Sequence, residues 1–178
     1  VKSLTRDEIR RLLVCIDDKR DRLLIQLGLA LGCRVSEVVT LELGNILPDR
    51  IIVIDRKKQS RLRECVIDSD TRALLDDYLR ASWEDERPRK PKLLFYFSYK
   101  TANRVVKRWF KAAAIPDDKA HWHTLRHTYV VQSLEAGVPL NHVCEQTGDS
   151  PETVIKVYGR PSIDARRQMI ERTAYWRN

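Results

Sequence analysis

Apolar residues recur at helical spacing along most of this chain, and one short stretch breaks the rhythm. Thr5-Arg6-Asp7-Glu8 has the form of a capping box, and Ile9, Leu12, Leu13 and Ile16 follow at helical intervals. A second helix is expected from about Asp21 to Leu31, with Leu23, Leu24, Leu27 and Leu31 on its buried face. Gly32 stands at its end, and Ser36 offers a cap for a short helix through Val39 and Leu41. Arg34 therefore falls in the joint between two helices. The rhythm then changes. Ile51 to Ile54 is β-branched and reads as a strand, and Leu62, Cys65, Val66 and Ile67 suggest its partner. Asn45-Ile46-Leu47 would add a first strand, giving a small antiparallel sheet. A helix from about Thr71 to Ala81 follows, then a charged loop from Glu84 to Lys92 and a short strand from Leu93 to Phe97. Thr101 to Ala114 reads as a helix with Val105, Val106 and Phe110 inward. The remainder is expected to be helical over about 124–136, 139–147, 151–158 and 163–173. Ser150-Pro151 is an N-cap and N1 pair, and Gly159 is placed to end the helix that carries Tyr158.

This pattern gives a mainly α chain with a small antiparallel β-sheet, an α+β class, in one domain over 1–178. At 178 residues and 43% hydrophobic, the chain is long enough to bury a substantial core. No apolar run is long enough to span a bilayer; the longest, Leu23 to Cys33, is interrupted by Gln26. The cysteines, Cys15, Cys33, Cys65 and Cys144, form no C-x-x-C pair, which argues against a zinc site and for buried free thiols in a cytoplasmic protein.

Charge changes the picture more. A net charge of +8 and a pI near 9.5 point to a polyanionic partner. Part of that charge is concentrated. Asp55-Arg56-Lys57-Lys58-Gln59-Ser60-Arg61 forms a basic turn between the two strands, and Lys100, Arg104, Lys107, Arg108 and Lys111 crowd the outer surfaces of one helix. His123 and Arg126, at i and i+3, share a helical face near a helix N-terminus, where free backbone N–H groups favour phosphate. Arg34 offers either a salt bridge to Glu37 at i+3 or a guanidinium fork for phosphate oxygens. Lys58 is either a solvated hairpin charge or a mobile general acid, with Lys57 an immediate competitor. Tyr158 is either packing or a hydroxyl nucleophile, and as a nucleophile it would need positive charge nearby.

Taken in order, Gly32-Cys33-Arg34-Val35-Ser36-Glu37, the turn with Lys58, His123-Thr124-Leu125-Arg126-His127-Thr128, Thr147-Gly148-Asp149-Ser150-Pro151 and Tyr158 resemble the catalytic domain of tyrosine recombinases, the phage integrase family. The resemblance runs from Thr5 to about Thr173. It implies that Arg34 and Arg126 clamp a scissile phosphate in double-stranded DNA and that Tyr158 attacks it, leaving a 3′-phosphotyrosyl link. Lys58 would protonate the 5′-oxygen, and His123 would accept the tyrosine's proton or hydrogen-bond the phosphate. No metal, ATP or other cofactor is implied. The activity expected is site-specific cleavage and rejoining of DNA, for integration or excision of a virus or mobile element, in a tetrameric synapse on DNA. The helix from Ile163 to Thr173 would dock on a neighbouring protomer or pack on its own domain. The residues expected against DNA are Lys57, Arg61, Lys100, Arg104, Lys107 and Arg108.

Two departures stand out. Family members carry a helical core-binding domain ahead of this one, which this chain is expected to lack. The family also has His or Trp where Asp149 stands. A carboxylate there would repel phosphate unless an arginine pairs with it. Asp149 is therefore expected either to turn away and cap the following helix, or to reduce activity. The rival functions are a non-catalytic DNA-binding domain and a type IB topoisomerase-like DNA relaxation.

Overall fold

A computed structural model describes residues 2–55, 61–83, 93–159 and 163–173. Among these, nine α-helices accompany a two-stranded sheet: α1 (Arg6–Cys15), α2 (Lys19–Leu31), α3 (Val35–Val39), β1 (Ile51–Asp55), β2 (Arg61–Cys65), α4 (Ser69–Trp83), α5 (Tyr99–Ala112), α6 (Trp122–Glu135), α7 (Leu140–Thr147), α8 (Pro151–Tyr158) and α9 (Ile163–Thr173). Thr5 caps α1 in the capping box read from the sequence, with Glu8 N donating to Thr5 Oγ1 and Thr5 N to Glu8 Oε2. No helix among the described residues is long and apolar enough to cross a membrane.

The sheet is smaller than the sequence suggests. β1 and β2 pair antiparallel, with Ile51 opposite Cys65 and Asp55 opposite Arg61. Residues Leu43–Asn45 form a single 3-10 turn, and Ile46 makes only an isolated bridge to Ile51. The segment from Leu93 to Phe97 likewise contributes one bridge, Glu42 to Leu93, and no strand. Leu94 and Phe95 of the second segment are buried in the core, and Ile46 of the first packs partly buried against it. Burial alone does not distinguish a strand from an irregular chain that packs.

α2 is the hub. Leu23, Leu24, Ile25, Leu27 and Leu31 are all buried, so the helix is covered on most of its circumference. α5 is fastened to it by Asp21, a fully buried carboxylate that accepts from Trp109 Nε1 at 2.9 Å and Arg108 Nη2 at 2.7 Å. α6 lies across both. Its first half sends Trp122 and Leu125 into the main core, and its second half sends Val130 into a smaller one with Val143, Cys144 and Val154. The ring of Tyr158 packs against that smaller core. The four cysteines are free, Cys15 partly exposed and the others buried.

Candidate active site

The site is assembled at the joint between α2 and α3. Gly32 ends α2 with φ +57°, and a Cβ there would stand 2.5 Å from the Tyr129 ring. The left-handed turn and the close approach both require glycine. The turn exposes two carbonyl groups to α6, and both are used. Trp122 Nε1 donates to Cys33 O at 2.9 Å, and Arg126 Nη1 donates to Gly32 O at 2.7 Å. These bonds bring Arg126 alongside Arg34, which is 92 positions earlier in the chain. Arg34, rather than Ser36, is the residue that caps α3, in extended backbone at φ −68° and ψ 150°.

The two arginines sit in a network of ion pairs. Arg34 donates through Nη1 to Glu37 at 3.2 Å and to Asp55 at 2.9 Å. Glu37, buried, accepts Arg34 N at 2.8 Å and both terminal nitrogens of Arg63 at 3.1 Å. Arg63 is itself buried, lies 3.9 Å from Asp55, and reaches Cys33 Sγ at 3.5 Å. Burial works against its charge, but Glu37 and its neighbours hold its pKa above the ordinary value. The bridge between Arg34 and Glu37 anticipated at i+3 is present, and it coexists with further contacts made by the same guanidinium.

Asp149 closes the network. Gly148 ends α7 with φ +76°, and Ser150 caps α8 by accepting from Thr153 N at 3.3 Å. Asp149 stands between the two helices and caps neither. Its Oδ2 lies 2.6 Å from Arg126 Nη2, at an angle unsuited to a hydrogen bond, and its Oδ1 lies 3.5 Å from Arg34 Nη2. The expectation that it turns away to cap a helix is thus not met. One carboxylate spans both guanidiniums while Ser150 caps α8. The resting site holds three arginines, Arg34, Arg63 and Arg126, against three carboxylates, Glu37, Asp55 and Asp149. A cleft of about 520 Å³ opens beside Asp149, lined by Arg61, Leu62 and Glu64 of β2 and Asn141 and Glu145 of α7.

Tyr158 ends α8 and faces α6. Its hydroxyl hydrogen-bonds to His127 Nδ1, and the two rings meet edge-on with centroids 5.5 Å apart. Burial raises the Tyr158 pKa to about 12, with Arg126 pulling it down and Asp149 pushing it up. His127 is driven the other way, to about 4, by burial and then by His123, His121 and Arg126. The ring of His123, one turn earlier on the same face, is 6.1 Å from that of His127. Burial lowers the His123 pKa as well, followed by Arg126, His121 and Arg34, while Asp149 opposes.

The structure therefore gathers Arg34, His123, Arg126, Asp149 and Tyr158 at one face of α6. Lys57 and Lys58 lie outside the described residues. Arg61 is exposed at the start of β2. Lys100, Arg104 and Lys107 are exposed on α5, whose Asn103 Oδ1 accepts from Trp122 N at 3.3 Å and so joins α5 to the start of α6. Arg108 is engaged by Asp21 and stacks on Trp109, with its guanidinium 4.4 Å from the ring centroid. Sequence reasoning missed Arg63, Asp55 and His127. His127 had a signal, since it lies four residues from His123 on one helical face. Asp55 and Arg63 looked like ordinary charges flanking a hairpin. Among the described residues no group of three or more His, Cys, Asp or Glu is placed to hold a metal ion.

Comparison with known proteins places this geometry in context. Residues 2–162 match the model of the phage integrase family. Tyrosine recombinase XerA of Thermococcus kodakarensis is 32% identical over 184 residues, covering 96% of this chain and 62% of the relative. The chain thus spans about three-fifths of that relative's length. The crystal structure of a XerA recombinase superposes with a TM-score of 0.82 at 23% identity, over 98% of this chain and 65% of the other. XerH site-specific recombinase, solved bound to its difH substrate before cleavage, gives 0.79 at 21% identity, over 99% of this chain and 55% of the other.

Proposed function

Because the chain belongs to the phage integrase family, we propose that it cleaves and rejoins DNA at specific sites through a tyrosine-linked intermediate. The observation that carries this reading is the convergence on one face of α6 of two buried or half-buried arginines, bridged by a single anion, and a tyrosine hydroxyl. Two guanidiniums held by Glu37, Asp55 and a backbone carbonyl are preorganised for the charge that develops on a phosphorane, and need no metal to meet it. Arg34 and Arg126 bind the phosphate, His123 hydrogen-bonds it, and Tyr158 attacks. Lys58 protonates the departing 5′-oxygen. Because the phosphotyrosyl bond conserves the energy of the phosphodiester, religation requires no ATP.

Double-stranded DNA is the proposed partner, supported by the basic outer surface of α5 and its junction with α6. The proposed setting is integration or excision of a virus or mobile element. Assembly of several copies on DNA, with α9 docking on a neighbour, is supported by the exposure of Ile163, Met169 and Ile170 on that helix. The test is incubation with a nicked duplex whose cleaved end diffuses away. A protein–DNA species that survives denaturant supports cleavage, and its absence with DNA still bound leaves only binding.

One observation favours a second reading, a DNA-binding domain that no longer cleaves: Asp149 bridges the arginine pair where a phosphate would sit. The two readings separate at this residue. Asp149→His is expected to raise covalent adduct formation about ten-fold, because an intramolecular anion no longer competes with phosphate. A ten-fold change corresponds to about 1.4 kcal/mol. No gain in adduct would place the limitation elsewhere.

A further inference from the structure

The hydroxyl of Tyr158 is hydrogen-bonded to His127. Nδ1 of His127 meets that hydroxyl directly, while its ring lies edge-on to the tyrosine at 65°. With the hydroxyl as donor, the facing Nδ1 is the unprotonated nitrogen of a neutral imidazole. The ring of His123 lies 6.1 Å from that of His127, and it feels the charges of Arg126, His121, Arg34 and Asp149. Of the two histidines, one turn apart on α6, His127 is the one that meets the nucleophile's hydroxyl.

We propose that His127 is a catalytic residue, the base that takes the Tyr158 proton as the phenol oxygen bonds to phosphorus. The assignment rests on the cleavage reading above. The Oη–H bond breaks and its proton passes to Nδ1. The Oη electron pair forms the bond to phosphorus. The bond from phosphorus to the 5′-oxygen breaks, its electron pair leaves with that oxygen, and the general acid assigned to Lys58 supplies a proton. In religation the imidazolium returns its proton to the departing phenolate. In the resting pair the phenol keeps its proton, because burial raises the tyrosine pKa and lowers that of the histidine. Transfer becomes favourable only as Oη loses its basicity to the new O–P bond. His127 therefore acts during the reaction, without generating a free phenolate beforehand.

The test compares adduct formation on the nicked duplex by wild type, His127→Asn, His127→Ala and His123→Ala. Asparagine keeps an acceptor oxygen near the position of Nδ1 but holds no proton at neutral pH. His127→Asn is expected to slow adduct formation about a hundred-fold or more, with DNA affinity unchanged, since proton transfer by a positioned side chain contributes about 10²–10⁴ in rate. Added imidazole is expected to restore much of the rate of His127→Ala, which also shows that this variant is folded. A wild-type rate in His127→Asn would reduce His127 to positioning by hydrogen bond and overturn the assignment. So would rescue of His123→Ala, and not His127→Ala, by imidazole. Absence of adduct from the wild type itself would remove the cleavage reading, and this assignment with it.

Discussion

Tyr158→Phe is expected to abolish the covalent DNA adduct while leaving the fold and DNA binding in place. The substitution removes one oxygen. What it costs the structure is the hydrogen bond to His127, worth about 1 kcal/mol net. The ring keeps its packing on the small core of Val130, Val143, Cys144 and Val154. Chemically it removes the only atom of that residue able to bond to phosphorus. The five other tyrosines are separate side chains, and a phenylalanine cannot be rescued by a change of pH. The adduct is therefore expected to fall below detection, and the denaturation midpoint to move only slightly. Gel separation of the adduct and a thermal melt on the same preparation check both halves. Adduct persisting in Tyr158→Phe would mean that another residue is the nucleophile.

Arg63→Ala is expected to be the most destabilising of the single substitutions at the site. Arg63 contacts neither the proposed phosphate position nor Tyr158, so its importance is structural. Its two terminal nitrogens hold both oxygens of buried Glu37, and Gly148 lies directly on it: a Cβ at Gly148 would stand 2.5 Å from Arg63 Nη1. Deleting the guanidinium leaves Glu37 buried with one partner in place of two and opens a void under the turn that carries Asp149. Breaking one side of a buried ion pair costs about 3–5 kcal/mol, a large fraction of a domain's total stability. Arg63→Met, which restores volume without charge, should recover part of the loss. If Arg63→Ala unfolds in denaturant within about 0.5 kcal/mol of the wild type, Glu37 does not depend on Arg63.

Much of the fold was legible in the chain because its helices announce themselves locally. Thr5-Arg6-Asp7-Glu8, Ser150-Pro151, Gly32 and Gly159 are punctuation that acts over three or four residues, and the structure uses each as read. The sheet was harder. Asn45-Ile46-Leu47 and Leu93 to Phe97 are apolar for the sake of the core, and period-two patterning over three to five residues does not separate a strand from a packed loop. At the site, Arg34 and Arg126 were legible as types in an order, but their joining depends on Trp122 and Arg126 reaching the carbonyls of Cys33 and Gly32, about ninety positions away. The link from Arg34 to Asp55, and from Asp55 to Arg63, is also non-local, over a shorter span of chain. Asp149 shows the limit most clearly. The chain raised both capping and pairing with arginine, and only the arrangement of three helices in space selects between them.

That same aspartate has a consequence for how the arginine pair would meet any outside ligand. Asp149 is attached through Gly148 to the end of α7, so it cannot diffuse away from the guanidiniums it bridges. A tethered carboxylate behaves as a competitor present at a constant local concentration, on the millimolar scale or above for a short link. The apparent affinity for an incoming phosphate is its intrinsic affinity multiplied by the fraction of time the clamp stands open. A lone phosphate or a briefly touching duplex loses that contest. In the proposed DNA complex, a duplex gripped elsewhere would meet the clamp as a second tethered ligand and compete on equal terms. The arginine pair would then act as a threshold detector, responding to how completely the DNA is held.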